Sequence, residues 1–383
     1  MSSEYLTASQ AASHLGVSVS TLYAYVSRGM LSSEPDPVKR RRRYRRAEVE
    51  ALLARKQERR QPEQALAEAL YWGGPVCDSE LTLIDQGRLF YRGRDAQRLA
   101  RQASLEEVIE LLWGDYQPRP AGLEPWLLAR LEGVAPFEAF RLTLPWLSQS
   151  DLAAFDLRPE GVRRTGARIL SALVAVACRG SVEGDLAEAL ARAWAPGHRR
   201  ALEAALILCA DHEFNVSAFT ARCVASSGAT PYHVVSAGLC ALSGFRHGGH
   251  THRVEALYEE AAQSSAAQAI ESRLRRGEEV PGFGHRLYPE GDPRGRCLLE
   301  FCQPHSELTR GLLEAAQSVL GDHPTIDFGL VALARHLQLP PGAPLALFAL
   351  GRTVGWVAHA LEQYATGRLI RPRARYAGPL PEL

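Results

Sequence analysis

HRRALEAALILCADHEFNVSAFTARCVASSGA, residues 198–229, joins a helix to a chemically loaded turn. Up to Ala210 its apolar residues recur three and four apart, the period of a helix with a buried face. DHEFN at 211–215 then sets a histidine among acids. A zinc-peptidase H-E-x-x-H site would need histidine at 216, where Val216 stands, so that reading fails. Alone, His212 reads as a core or capping histidine.

Outward from this stretch the pattern stays helical. QALAEAL (64–70), SLEEVIELL (104–112, with Ser104 and Glu107 as a capping box), GDLAEALARAW (184–194) and SELTRGLLEAAQSVL (306–320) repeat the same spacing. Strand-like alternation is confined to SELTLIDQGRLFYRG (79–93), two apolar runs flanking Asp85-Gln86-Gly87, which predicts a hairpin. Residues 223–245 lack Asp, Glu, Lys and Arg but are broken by Pro231 and His233, so a buried helical hairpin is expected rather than a membrane span. No basic segment followed by an apolar run opens the chain, and nothing there reads as a secretory signal. The seven cysteines are scattered with no C-x-x-C pair, which predicts reduced thiols in a cytoplasm.

At 383 residues the chain is too long for one core. Charge marks a boundary: residues 1–60 carry 12 Lys/Arg against 6 Asp/Glu, or +6, leaving 32 against 37, or −5, for the rest. Thr7 and Gln10 form a capping-box pattern before a short helix ending at Gly16. Ser18 or Ser20 can cap a second helix, carrying Leu22 and Val26 and ending at Arg28-Gly29. Residues 39–46 then hold seven basic side chains around Tyr44, each able to neutralise a phosphate. The segment resembles winged helix-turn-helix modules of the excisionase and MerR type. That resemblance puts Ser20, Thr21, Tyr23 and Tyr25 on a recognition helix and Arg41, Arg42, Arg43 and Arg45 in a wing against duplex DNA. A solvated basic hinge is the plainer alternative.

Four more islands carry chemistry. RHGGHTHR (246–253) offers His247, His250 and His252, but no nearby residue completes a familiar ligand set, so no metal is expected. His247 before two glycines suits close approach of a substrate, with a neutral imidazole donating to an oxyanion. VPGFGHRLYPEGDPR (280–294) is a turn-rich loop carrying His285, Arg286 and Arg294. PTIDFGLVALARHL (324–337) puts Asp327 in the first turn of an apolar helix, where an acid commonly complements the helix dipole. FALGRTVGWVAHALEQ (348–363) with LIRPRARYAG (369–378) supplies Arg352, Arg371 and Arg373.

Each island has an innocent reading. Their order does not. DHEFN, HGG, PGFGHRLY with DPR, TIDFG, and GRTVGWVAHALEQ with IRPRARYAG form a series that resembles citrate synthase and 2-methylcitrate synthase, over roughly residues 70–380. The resemblance implies a mainly α fold: a large domain at 65–249 and 339–383, a small domain at 250–338 that closes over it, and a winged helix-turn-helix domain at 1–60 in front. It implies condensation of acetyl-CoA with oxaloacetate to citrate and CoA. In it Asp327 is the base at the acyl methyl, His247 the hydrogen-bond donor to the enol, and His285 the acid at the ketone. His212, Arg294, Arg352 and Arg371 would hold oxaloacetate, the last contributed by the partner of a homodimer with shared sites. Gly282, Gly284, Arg286 and Arg373 would meet CoA weakly, because Pro289 stands where the family carries a basic residue. His250-Thr251 replaces an alanine-asparagine pair. No cofactor is implied, CoA thioester being a substrate. The alternatives are a 2-methylcitrate synthase using propionyl-CoA, and a DNA-binding regulator whose body senses metabolites without turnover.

Overall fold

The computed structural model describes residues 5–36, 41–46, 48–50, 52–53, 77–182 and 184–379. The helix expected at 64–70 lies outside them. Contacts divide the chain into residues 1–78 and 79–383.

The first unit is built on two short helices, α1 (Ala8–His14) and α2 (Val19–Ser27). Thr7 and Gln10 make the expected reciprocal capping box, and Ser18, not Ser20, caps α2 by accepting from Thr21 N–H. Three antiparallel strands, β1 (Tyr5–Thr7), β2 (Glu34–Pro35) and β3 (Arg42–Arg45), pair in the order β1-β3-β2. Leu6, Ala11, Leu15, Leu22, Tyr44, Val49 and Leu52 close a small separate core. Alternation along β3 buries Tyr44 and turns Arg43 and Arg45 the other way.

The second unit opens with the expected hairpin, β4 (Thr82–Asp85) on β5 (Arg88–Tyr91), with β6 (Arg94–Asp95) beside it and positive φ at Gln86 and Gly87. Helices follow: α3 (Ala96–Gln102), α4 (Leu105–Trp113), α5 (Pro125–Arg130), α6 (Pro136–Ser150), α7 (Pro159–Cys178), α8 (Leu186–Trp194), α9 (Arg199–Cys209), α10 (Val216–Ser226), α11 (Pro231–Leu242), α12 (His250–Gln263), α13 (Ala266–Arg275), α14 (Pro293–Glu300), α15 (Glu307–Leu320), α16 (Ile326–His336) and α17 (Ala343–Thr366). The capping box at Ser104 and Glu107 starts α4 as the spacing predicts. The uncharged run 223–245 takes in the last turn of α10 and all of α11, which pack against each other. Among the described residues one helix, α17, is long and apolar enough to cross a membrane, and its apolar window is 94% buried within the fold. It packs on α4, α6, α7, α9, α10, α11, α12 and α16, which makes it the central post of the body. All seven cysteines are free.

Candidate active site

Turns and helix starts, with one position inside α17, bring six of the predicted residues together. His212 sits in the turn between α9 and α10, 8% exposed, and its Nε2 lies 2.9 Å from the Tyr288 hydroxyl. His247 lies in the turn between α11 and α12. That turn is glycine-bound by packing: a Cβ on Gly248 would stand 2.6 Å from the Leu242 side chain, and one on Gly249 would collide with the Ser243 carbonyl. His285 occupies the loop before α14, its ring centroid 5.5 Å from that of His212 and 4.9 Å from Tyr288. Arg294 belongs to the first turn of α14 rather than to the loop, and Asp292 caps that helix while chelating the guanidinium at 3.0 and 2.8 Å. The same carboxylate accepts from Ile326 N–H at 3.0 Å, which ties the start of α16, and hence Asp327, to Arg294. Arg352, mid-way along α17, donates to the Cys209 carbonyl at 2.8 Å and lies 5.0 Å over the Phe348 ring.

Burial sets the charge states. His247 is pushed down to about 3 by burial, then by Arg352 and Arg294. His285 is pushed down to about 4 by burial and Arg294, against the pull of Asp292, and His212 falls well below the usual histidine range by burial and Arg294. All three rings are therefore neutral near pH 7. Asp327 goes the other way: burial raises its carboxyl to about 7, opposed by Arg294. The residue is partly open to solvent, yet its Oδ1 is sealed and has no hydrogen-bond partner. Arg352 Nη1 is likewise buried without a partner. Buried polar atoms left unpartnered in a native fold call for an explanation, and two of them belong to residues of this cluster.

Tautomers follow from the partners. Leu287 N–H donates to His285 Nδ1 at 3.1 Å, which leaves the ring proton on Nε2. His247 Nε2 lies 2.8 Å from Ser217 Oγ, which also accepts from Trp356 Nε1 at 3.2 Å. The Ser217 hydroxyl donates to Asn215 Oδ1 at 2.8 Å, so its oxygen is the acceptor toward His247 Nε2.

A family model described as "Citrate synthase, C-terminal domain" matches residues 70–373. The chain belongs to the citrate synthase family. A "Helix-turn-helix domain" model matches residues 5–57. "Citrate synthase 2" of Bacillus subtilis is 32% identical over 352 residues, covering 80% of this chain and 95% of that one. "2-methylcitrate synthase 2" of Corynebacterium glutamicum is 27% identical, covering 76% and 88%. The citrate synthase of Thermotoga maritima superposes with a TM-score of 0.63 at 26% identity, over 81% of this chain and 96% of that one. The chain is thus a citrate synthase-type transferase.

Against that family frame, His212, His247, His285, Arg294, Asp327 and Arg352 share one electrostatic neighbourhood. Arg371 and Arg373 do not join it. They are exposed in the segment after α17, which is tied back where Ile370 N–H donates to Ser226 Oγ at 3.0 Å. Ser226 ends α10 and Ser217 begins it, about 14 Å apart along the axis at 1.5 Å per residue. Gly282 and Gly284, both at positive φ, and exposed Arg286 lie in the His285 loop. Sequence reading missed Ser217, Tyr288, Asp292 and Phe348. Asp292 had a signal, an aspartate directly before proline and arginine at a helix start; Ser217 had none, because a serine in a first helical turn is commonplace.

Proposed function

We propose that the body condenses acetyl-CoA with oxaloacetate, releasing citrate and CoA. Asp327 takes a proton from the acyl methyl, His247 donates to the thioester oxygen as the enol forms, and His285 donates from Nε2 to the ketone as the carbon–carbon bond closes. The observation that carries this reading is Asp327 itself, a carboxylate with a sealed, unpartnered oxygen raised to about 7 beside neutral imidazoles. A base of that strength is matched to near-neutral proton transfer, and neutral imidazoles donate without delivering a full charge to the enol. His212, Arg294 and Arg352 supply the polar lining a dicarboxylate needs. The position of Arg371, beyond its own site, supports a homodimer in which each chain completes the other's oxaloacetate pocket.

Gly282, Gly284, Arg286 and Arg373 are the proposed CoA contacts, with Pro289 in place of a cation keeping that affinity weak. The division into a large domain (65–249 and 339–383) and a small one (250–338) is part of the same proposal. Scattered free thiols fit the cytoplasm. The N-terminal unit is proposed to bind duplex DNA through Ser20, Thr21, Tyr23, Tyr25 and the wing arginines.

Similarity to an enzyme named for 2-methylcitrate supports a second reading, propionyl-CoA as acyl donor. One methylene separates the two substrates, worth about 1–3 kcal/mol in a pocket. Thiol release measured with oxaloacetate and each thioester decides between them. Asp327→Ala should lower turnover by about 10²–10⁴-fold. Absence of thiol release with either thioester would leave the sensing-regulator alternative standing.

A further inference from the structure

His250 begins α12 three residues after His247, and its backbone N–H donates to the His247 carbonyl at 2.9 Å. Its side chain reaches across to a different loop. Gly282 N–H donates to His250 Nε2 at 3.2 Å, and the carbonyl of that glycine accepts from Thr325 N–H at 2.9 Å. Thr325 is the N-cap of α16, two residues before Asp327. Gly284, one residue before His285, donates to the His323 carbonyl at 3.0 Å, and Phe283 bridges to Pro324. One imidazole thus sits where the His247 turn, the His285 loop and the Asp327 helix meet.

We propose that His250 is a positioning residue for the condensation, a clip that sets His247, His285 and Asp327 in mutual register by holding the Gly282 peptide. The proposal rests on the roles given to those three residues above. Gly282 adopts φ +89, and a Cβ there would press on Val254 and Phe328 at 3.1 and 3.2 Å, so the peptide has one orientation in which to be held. Val254 lies one turn along α12 from His250, so the helix that carries the clip also forms the wall behind it.

The clip works only as a neutral ring. Nε2 accepts, so the proton is on Nδ1, the nitrogen left to face the Phe245 carbonyl. Burial and Arg253 push the ring below the usual histidine range, against the Phe245 carbonyl and Glu279, and Arg253 and Glu279 pair with each other at 3.4 Å. The surrounding charges therefore favour the form that accepts.

His250→Ala removes the acceptor; His250→Gln keeps an amide oxygen for Gly282 N–H and an amide donor for Phe245. In the thiol-release assay, His250→Ala is expected to lose about ten- to a hundredfold in kcat, the effect of misplaced catalytic groups. The KM for oxaloacetate should move little, because His212, Arg294 and Arg352 are held elsewhere. His250→Gln should recover most of the kcat. A kcat for His250→Ala equal to wild type overturns the proposal. So does an equal fall of kcat, oxaloacetate affinity and melting temperature in both variants, which is what a merely structural role predicts. Wild type without turnover would strike the proposed function instead. Amide exchange at Gly282 and Thr325 then decides the clip alone: slow in wild type and His250→Gln and fast in His250→Ala supports it, unchanged in all three sinks it.

Discussion

The N-terminal unit leaves its wing arginines exposed or half-buried, whereas the body buries Arg294 and Arg352. Arg43 and Arg45, with 29% and 56% of their side chains exposed, share Glu34 at 3.3 and 2.8 Å, and Arg43 also lies 3.9 Å over the Tyr5 ring. In the body, Arg294 and Arg352 are 3% and 1% exposed. At the surface, water and salt screen each charge, and an acid or a phosphate can exchange for another at little cost. In the interior a guanidinium with an unpartnered Nη1 has already lost its water, so an incoming carboxylate regains what burial removed. The same side chain is thus suited to a loose, salt-dependent partner at the surface and to a fixed dicarboxylate in the interior.

That contrast can be tested from its strongest side first. Arg352→Lys keeps the charge and loses the planar fork. It should raise the KM for oxaloacetate by about ten- to a hundredfold, the worth of a charge-assisted hydrogen bond, with steady-state kinetics as the measure. An unchanged KM would mean that the buried donor does not meet the substrate.

The second test uses pH. Asp327 must be ionised to act as a base, and its carboxyl lies at about 7. Turnover should therefore fall about tenfold for each pH unit below that value. The sign for stability is opposite. Between the usual 3.8 and about 7 the folded state holds the proton that the unfolded chain releases. This group's contribution is fully present below 3.8 and is lost as pH rises through 7. Asp327→Asn should flatten that component of a melting-temperature profile against pH.

The smallest effect belongs to the surface. Glu34→Gln releases Arg43 and Arg45 to phosphate, so the slope of log affinity for duplex DNA against log salt should steepen by about 1–2. Fluorescence anisotropy over a salt series would show it, and an unchanged slope would place the two arginines away from the backbone.

Much of this was legible in residue order. The capping boxes at Thr7 and Ser104, the hairpin about Gly87 and the buried helix begun at Pro231 follow from spacing and turn chemistry, which act locally. The candidate cluster was legible as a series of motifs, because a family resemblance carries distances that periodicity cannot. What stayed hidden depends on long-range contact. Asp292 binds Arg294 and the start of α16 together, Ser217 meets His247 thirty residues away, and His250 finds Gly282 across thirty-two. His250 was read as one of three histidines that lacked a metal partner; its neighbour proved to be a backbone amide, a group no sequence pattern advertises. Arg294 was placed in a loop because the glycines and prolines around it dominate local signals, although Asp292-Pro293 is a sound helix start.

The central helix α17 has one more consequence. Every element it packs against precedes it in the chain. A chain made from its N-terminus can therefore shape the receiving groove before these twenty-four apolar-rich residues emerge. On hydropathy alone the segment would suit a bilayer, yet in hydrocarbon Arg352 and His359 would lack what they meet here, the Cys209 carbonyl and the Asp211 carboxylate. The side chain proposed to bind substrate is also one that keeps the helix addressed to its own protein rather than to a membrane.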